Sequence, residues 1–330
     1  MSEILAKVIR NERVESIHRG HIAVVDADGK LVASVGDPNH PTYMRSAAKP
    51  VQIMPLLEDC VDKHFGFTDS ELGVIIASHN GEEIHVRAVE SILKKIGLTA
   101  DYLKCGFHLP MSGPAAAEHT KKNLPKSPIY NNCSGKHSGM LAVAKFHNWP
   151  LDNYLDPNNP LQKRIKQRMA FFSGLTEDEI GVGVDGCSAP VFFLPLKNMA
   201  LIYAKLAAGE IAVSQRVFDI MIAHPEMIAG TDRFDTELMR VMSGRMISKV
   251  GAEGIRCVGV RGERPLGIAL KIEDGSKRAS EAVMLEVLRQ LDLISKTELN
   301  NLNRFYHPTI VNFAGIETGG IRAEFELRRL

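Results

Sequence analysis

The chain has 330 residues, and its hydrophobic fraction of 45% is that of an ordinary globular protein that can bury a large core. Lys and Arg number 40 against 39 Asp and Glu, so a formal net charge of +1 indicates no basic surface for nucleic acid. No stretch approaches the roughly 18 apolar residues of a membrane-spanning helix, and residues 1–16 have no signal-peptide core. The composition predicts a cytoplasmic protein with no nucleic-acid or membrane partner.

The first predicted elements form a β-hairpin. Apolar runs at 21–25 and 30–36 flank the turn sequence Asp26-Ala27-Asp28-Gly29.

The centre of the chain reads as helical. Thr68 and Glu71 have the spacing of a capping box, and apolar residues recur at helical spacing from 84 to 96. Asn159-Pro160 marks another helix start, with Gly174 beyond its end. Two further helices are predicted over 198–209 and 214–224.

From about residue 243 the pattern returns to strands, with a meander over 245–275, a helix over 280–291 and a strand pair from 311–317 and 321–327. This order predicts an α/β (α+β) fold with one antiparallel sheet from both chain ends and an inserted helical lobe. We expect a sheet lobe of about 1–40 plus 243–330 and a helical, active-site lobe of about 41–242. The two lobes are expected to form a single catalytic unit over 1–330.

A Ser-x-x-Lys motif occurs at Ser46 and Lys49, and Pro50 indicates that a helix starts at or just before Ser46. Residues three apart on a helix share a face, and a neutral lysine amine can accept a seryl proton. The motif alone is weak, because a capping serine and a solvated lysine would give the same pattern.

Two companion motifs follow in chain order. Ser78-His79-Asn80 comes directly after an apolar run, and Lys249-Val250-Gly251 lies in a predicted strand. Together the three motifs are those of the β-lactamase and penicillin-binding-protein fold, in which a sheet from both chain ends flanks a helical lobe. The motifs and the predicted architecture therefore support one another.

A third group of polar and glycine residues runs from Asn131 to Gly139, and we expect a ligand-facing loop before the apolar helix that follows. A second polar turn runs from Val184 to Ser188. Cys133 and Cys187 lie in these two turns, which favours function over the common alternative of two buried thiols. The five cysteines are odd in number and include no C-x-x-C pair, so we expect thiols rather than disulfides, with Cys60, Cys105 and Cys257 in packing roles.

Two other residues of these turns stay open at this point. His137 could be a ligand, a substrate donor or a helix-start histidine, and Asp185 could cap its turn or hold a substrate amine. The sequence contains no H-E-x-x-H metal motif and no phosphate-binding loop, so nucleotide use is not expected.

Seven blocks together resemble the asparaginase II family of inducible, thermolabile, rhizobial-type L-asparaginases. The resemblance covers essentially the whole chain, and NCSGKHSGM is its most specific block. The blocks are RSAAKP at 45–50, ASHNGE at 77–82, NNCSGKHSGML at 131–141, DGCSAP at 185–190, HPEMIAG at 224–230, SKVGAEG at 248–254 and GIALKIEDG at 267–275.

The resemblance implies a set of site residues. It implies two Ser-Lys pairs, Ser46 with Lys49 and Ser78 with Lys249, and a zinc site of Cys133, Lys136 and Cys187. We further expect substrate contacts from Arg45, Asn80, His137 and Asp185. The sequence departs from the family pattern at Asn80-Gly81, which leaves the role of Asn80 open.

The implied activity is hydrolysis of L-asparagine to L-aspartate and ammonia. Ser46 would attack the amide with Lys49 as base, and Ser78 with Lys249 would relay protons. A homodimer with a zinc cofactor is the implied assembly. The alternatives are a glutaminase, another β-lactamase-like serine amidohydrolase or peptidase, and a catalytically inactive zinc-binding or amino-acid-binding protein.

Overall fold

The computed structural model describes all 330 residues, Met1–Leu330. Its strands are β1 (Glu3–Arg10), β2 (Arg13–Asp26), β3 (Leu31–Val35), β4 (Pro41–Tyr43), β5 (Gly181–Val184), β6 (Pro190–Pro195), β7 (Met246–Val250), β8 (Ile255–Val260), β9 (Leu266–Ile272), β10 (Thr309–Val311), β11 (Glu317–Ala323) and β12 (Arg328–Arg329).

The α-helices are α1 (Lys49–Gln52), α2 (Met54–Glu58), α3 (Val61–Phe65), α4 (Asp69–Ile76), α5 (Glu83–Lys95), α6 (Gly113–Lys121), α7 (Ser134–Phe146), α8 (Pro160–Ser173), α9 (Leu196–Ala208), α10 (Ala212–Ala223), α11 (Pro225–Ile228), α12 (Phe234–Val241), α13 (Ser280–Gln290), α14 (Lys296–Asn301) and α15 (Asn303–Tyr306). Short 3-10 helices occur at Arg45–Ala48, Ala100–Tyr102 and Pro128–Tyr130. None of these helices has both the length and the hydropathy required to cross a bilayer.

The chain divides into two compact units. Unit 1 comprises Met1–Ala47, Leu194–Ala208 and Glu237–Leu330, and unit 2 comprises Ala48–Phe193 and Gly209–Thr236. The predicted fold class is confirmed, because the strands of the large sheet come from both ends of the chain and the mainly helical segment is inserted between them.

Unit 1 is built on an antiparallel sheet with the strand order β10-β11-β1-β2-β9-β8-β7, in which β3 also pairs with β2 and β12 pairs with β3. Every residue of β8 and β9 is buried, as expected for central strands covered on both faces. Helix α9 packs on β2, β8 and β9. A Cβ atom at Gly267 would lie 1.8 Å from the carbonyl oxygen of Ala200, so this glycine permits the close approach of α9 to β9.

Unit 2 is mainly helical, and several of its predicted boundaries are confirmed. The Thr68 hydroxyl accepts from Glu71 N–H while the Glu71 carboxylate accepts from Thr68 N–H, which completes the capping box of α4. Helix α8 starts after Asn159, whose side chain accepts from Leu161 N–H at 3.0 Å, and it ends at Gly174 with φ of 70°.

One local prediction is wrong. The segment 131–139 was expected to be a loop, but α7 begins at Ser134 and includes both glycines of the motif. A Cβ atom at Gly135 would lie 2.0 Å from Val74 O, and one at Gly139 would lie 2.6 Å from Ile75 Cγ2. These glycines therefore serve the close packing of α7 on α4 rather than a flexible loop.

The Gly135→Ala variant tests this packing. A methyl group cannot fit against the Val74 carbonyl, so we expect the free energy of unfolding to fall by about 3 kcal/mol in urea titrations. The matched control is Gly113→Ala in α6, where nothing lies within 4 Å of the added Cβ and a change within about 0.5 kcal/mol is expected. Equal stability of the two variants would contradict the packing role of Gly135.

An ion-pair cluster joins three helices of unit 2 at Asp59, which follows α2. Both guanidinium NH groups of Arg164 on α8 bond its carboxylate, and His147 Nε2, after α7, lies 2.6 Å from it. The hydrogen bond from Arg164 holds the pKa of Asp59 below its usual range, although partial burial opposes this.

This lowered pKa predicts how stability varies with pH. A carboxyl whose folded-state pKa is depressed contributes stability above its unfolded pKa of about 3.9 and loses it as the pH falls through the folded value. At pH 7 we expect Asp59→Asn to cost about 1–3 kcal/mol in chemical unfolding, with the difference from wild type vanishing in strong acid. Asp178→Asn, at an exposed position, is the control. A deficit that stays constant from pH 7 to pH 2 would exclude the charge-based account.

Candidate functional site

In unit 1 the predicted residues occupy two neighbouring segments. Arg45 and Ser46 are half-buried on the 3-10 turn after β4, and Arg45 has a left-handed φ of 51°. A Cβ atom at Gly251 would lie 2.9 Å from the carbonyl oxygen of Met44. The glycine of the Lys-x-Gly motif therefore lets the end of β7 approach the turn that carries Ser46.

Lys249 lies on β7, as predicted, and its side chain is completely buried. Its Nζ donates to the carbonyl of Val250 at 3.0 Å. A buried lysine is costly unless its amine is hydrogen-bonded or neutral, so such residues concentrate at functional sites. The pairing of Lys249 with Ser78 stays a prediction.

In unit 2, Lys49 and Ser78 are in direct contact. Ser78 follows α4 and is buried, and its N–H donates to Ile228 O at 2.9 Å. Lys49 Nζ lies 3.0 Å from Ser78 Oγ and also donates to the carbonyl oxygens of Ala77 and Asn132. The pairing predicted from the sequence was Ser46 with Lys49, which stays a prediction, and the contact between Lys49 and Ser78 was not foreseen.

Cys133, Lys136 and Cys187 come together in the interior of unit 2. Cys133 is the residue before α7, Lys136 lies in the first turn of that helix, and Cys187 lies in the turn after β5. All three are buried, and Lys136 Nζ lies 3.0 Å from Cys187 Sγ. The sequence-derived group of three is therefore compact in space.

The charges in this cluster favour one thiolate. A hydrogen bond from Cys187 holds the pKa of Cys133 well below that of an ordinary thiol, with the nearby Lys49 and Lys136 ammonium groups adding to the effect. The pKa of Cys187 is raised because its thiol donates the hydrogen bond to Cys133 and because burial disfavours its thiolate. Burial opposes the charge on Lys136, but the two sulfurs outweigh it and raise the pKa of that amine.

Two further substrate-binding candidates, Asn80 and Asp185, already form hydrogen bonds within the protein. Asn80 is buried, its Nδ2 donates to Thr231 O and Glu82, and its Oδ1 accepts from Arg233 at 2.7 Å. Asp185 is half-buried at the start of a tight turn and accepts from Gly186 N–H at 2.7 Å. The protein therefore already engages every polar group of the Asn80 side chain, and its contact with substrate stays a prediction.

His137 is buried on α7, and only one of its ring nitrogens has a partner. Nδ1 lies 2.6 Å from the hydroxyl of Tyr154, whereas Nε2 has no hydrogen-bond partner. Burial, together with the neighbouring lysine charges, lowers the pKa of His137 well below that of a free histidine. Burial therefore favours the neutral form of the ring.

The sequence did not mark His79 as a functional residue. Its Nδ1 accepts from Gly81 N–H at 3.1 Å, and its Nε2 lies 2.9 Å from Ser134 Oγ, whose hydroxyl donates to Ile129 O. His79 therefore ties the chain after Ser78 to the start of α7. The only available signal was its place within the Ser-x-Asn motif.

No group of three or more His, Cys, Asp or Glu side chains is arranged to hold a metal ion. The predicted zinc ligands include only two residues of these types, the third being Lys136. Two thiols and an amine are a donor set that suits zinc once the ligands are deprotonated, and their burial together fits such a group.

Comparison with a family model described as L-asparaginase II gives a match over residues 6–323, nearly the whole chain. No curated protein matches the chain.

Three solved structures are among those with a similar fold. Mglu in its native form is 14% identical over 85% of this chain and 66% of its own, with a TM-score of 0.38. A Bacillus glutaminase crystallised in the presence of 4.3 M NaCl is 12% identical over 83% and 91%, with a TM-score of 0.38. A beta-lactamase from Mycobacterium bovis is 12% identical over 82% and 94%, with a TM-score of 0.35. The chain spans just under two thirds of the Mglu chain, and TM-scores this low carry no conclusion about its activity.

Proposed function

Because the chain belongs to the L-asparaginase II family, we propose that it hydrolyses L-asparagine to L-aspartate and ammonia through a seryl acyl-enzyme. Family membership makes the chain an amidohydrolase, and the choice of substrate and the residue roles are the proposal. A homodimeric state and a cytoplasmic location stay predictions from the sequence.

The contact between Lys49 Nζ and Ser78 Oγ carries this proposal. A neutral amine has two N–H groups and one lone pair, and the carbonyls of Ala77 and Asn132 can only accept hydrogen bonds. These carbonyls therefore occupy the two N–H groups and leave the lone pair for a hydroxyl proton. The cationic form can use all three N–H groups, so Lys49 has suitable partners in both protonation states.

The two protonation states give Lys49 the role of a proton carrier. Ser46, three residues before Lys49 in the chain, is the proposed nucleophile, and it attacks the side-chain amide carbon as Lys49 accepts its proton. Ser78, 3.0 Å from Lys49 Nζ, then relays this proton to the departing ammonia. Water hydrolyses the resulting ester, and Lys249 assists Ser78 in this second half.

Zinc is proposed as the cofactor, held by Cys133, Lys136 and Cys187. A zinc ion bound there would supply a fixed positive charge and tie the turn after β5 to the start of α7. The protein residues alone perform the proton transfers described above.

The activity is tested by measuring ammonia release from L-asparagine and L-glutamine. We expect asparagine to be preferred by at least about tenfold in kcat/KM, since one methylene is worth about 1–3 kcal/mol in a fitted pocket.

The role of Lys49 is tested by the Lys49→Met variant, which should lower kcat by about 10³-fold or more. Lys145→Met, at a half-buried position in α7, is the matched control and should retain activity. Preferential turnover of glutamine would overturn the substrate assignment, and an acyl adduct found by mass spectrometry on Ser78 alone would overturn the role of Ser46.

The metal is tested by measuring bound zinc and thermal stability together. We expect about one zinc per chain in wild type, with a lower Tm after chelation because a ligand that binds the folded state stabilises it. Cys187→Ser should lose the metal, whereas Cys60→Ser, at an exposed thiol, should retain it. Wild-type protein that binds no zinc at micromolar concentration would remove the metal from the proposal.

A further inference from the structure

We propose that Tyr154 is a positioning residue that fixes the proton of His137 on Nε2, so that this N–H can bind the α-carboxylate of the substrate. The role of Tyr154 concerns the hydrogen-bond network of the protein itself, and its consequence for substrate rests on the proposed function.

The hydrogen bonds around the Tyr154 hydroxyl determine which way its proton points. The side chain is completely buried in unit 2, and the hydroxyl accepts from the backbone N–H of Lys104 at 3.0 Å. Its other neighbour is His137 Nδ1 at 2.6 Å. If the phenol O–H donates to Nδ1, then Nδ1 is an acceptor and the neutral ring carries its proton on Nε2.

The opposite arrangement is less favourable. If Nδ1–H donated to the phenol oxygen, that oxygen would accept two hydrogen bonds, and its own proton would have no acceptor. Nε2, which has no protein partner, would also remain unpaired as a bare lone pair. This arrangement leaves two buried polar groups unsatisfied instead of one, and each such group costs about 1–3 kcal/mol.

In the favoured arrangement the one unsatisfied group is the buried Nε2–H of His137, which lacks a hydrogen-bond acceptor. His137 is completely buried and no protein group accepts from its Nε2, so a carboxylate oxygen, which forms a stronger hydrogen bond than an amide oxygen, is the favoured acceptor. Of the groups on an amino-acid amide, the α-carboxylate fits and the α-ammonium, which can only donate, does not. Nε2–H therefore assigns His137 to the carboxylate end of the substrate.

The first experiment observes the tautomer directly in the wild-type protein. Nitrogen-15 NMR of histidine-labelled protein, with the His137 signals identified by their loss in His137→Gln, should show a protonated Nε2 and an unprotonated Nδ1. A proton on Nδ1 overturns the inference, whether or not the enzyme hydrolyses asparagine. Absence of asparagine turnover with the Nε2–H tautomer present would instead contradict the proposed function and leave the role of Tyr154 standing.

The second experiment removes the hydroxyl. In Tyr154→Phe we expect the His137 signals to show a mixture of tautomers, the KM for asparagine to rise roughly tenfold, and kcat to change far less, because a ground-state contact is lost. With 3-aminopropanamide, which lacks the α-carboxylate, the variant and wild type should give the same kcat/KM.

The matched control is Tyr306→Phe, which loses the hydrogen bond from its hydroxyl to Glu286 in unit 1 and should leave the His137 signals unchanged. An unchanged tautomer in folded Tyr154→Phe would overturn the positioning role.

Discussion

The close contact between α4 and α7 sets the positions of the polar groups in unit 2. At Gly135 the first turn of α7 lies against the Val74 carbonyl, and any side chain at this position would prevent this close approach. Ser78 follows the end of α4, and Cys133 to His137 lie at the start of α7. One helix-packing constraint therefore brings together the end of one helix and the beginning of another, which is where hydrogen-bonding groups not used by the helices are found.

Lys49 depends on that same contact for its partners. Its amine lies between Ala77 O at the end of α4 and Asn132 O just before α7, in a position where only 1% of the residue is exposed. Partners that only accept hydrogen bonds suit both the neutral and the cationic amine, whereas a carboxylate partner would hold the lysine permanently charged. The backbone carbonyls thus satisfy the hydrogen-bonding groups of a buried lysine in either state, which is compatible with the proposed role of Lys49 as a base.

The sequence predicted the periodic features of the fold well and the contacts of the site less well. The meander of β7 to β9 and helix α8 follow from apolar periodicity and from Asn159 and Gly174 as boundary residues, which are local signals. Gly135 was misread because a glycine that permits close packing looks the same in a sequence as one that permits a loop. Tyr154 gave no signal, since its partners Lys104 and His137 are 50 and 17 residues away.

His79 and His137 show what the three-dimensional structure adds to a motif. Both lie within motif segments and are fully buried, and burial lowers the pKa of both, but the sequence singled out only His137. Both ring nitrogens of His79 are used by Gly81 N–H and Ser134, so His79 can take on a ligand only by giving up a structural bond. His137 uses one nitrogen and keeps the other available. Spare hydrogen-bonding capacity, rather than burial or place in a motif, therefore separates the histidine that joins two segments of unit 2 from the one proposed to bind the substrate.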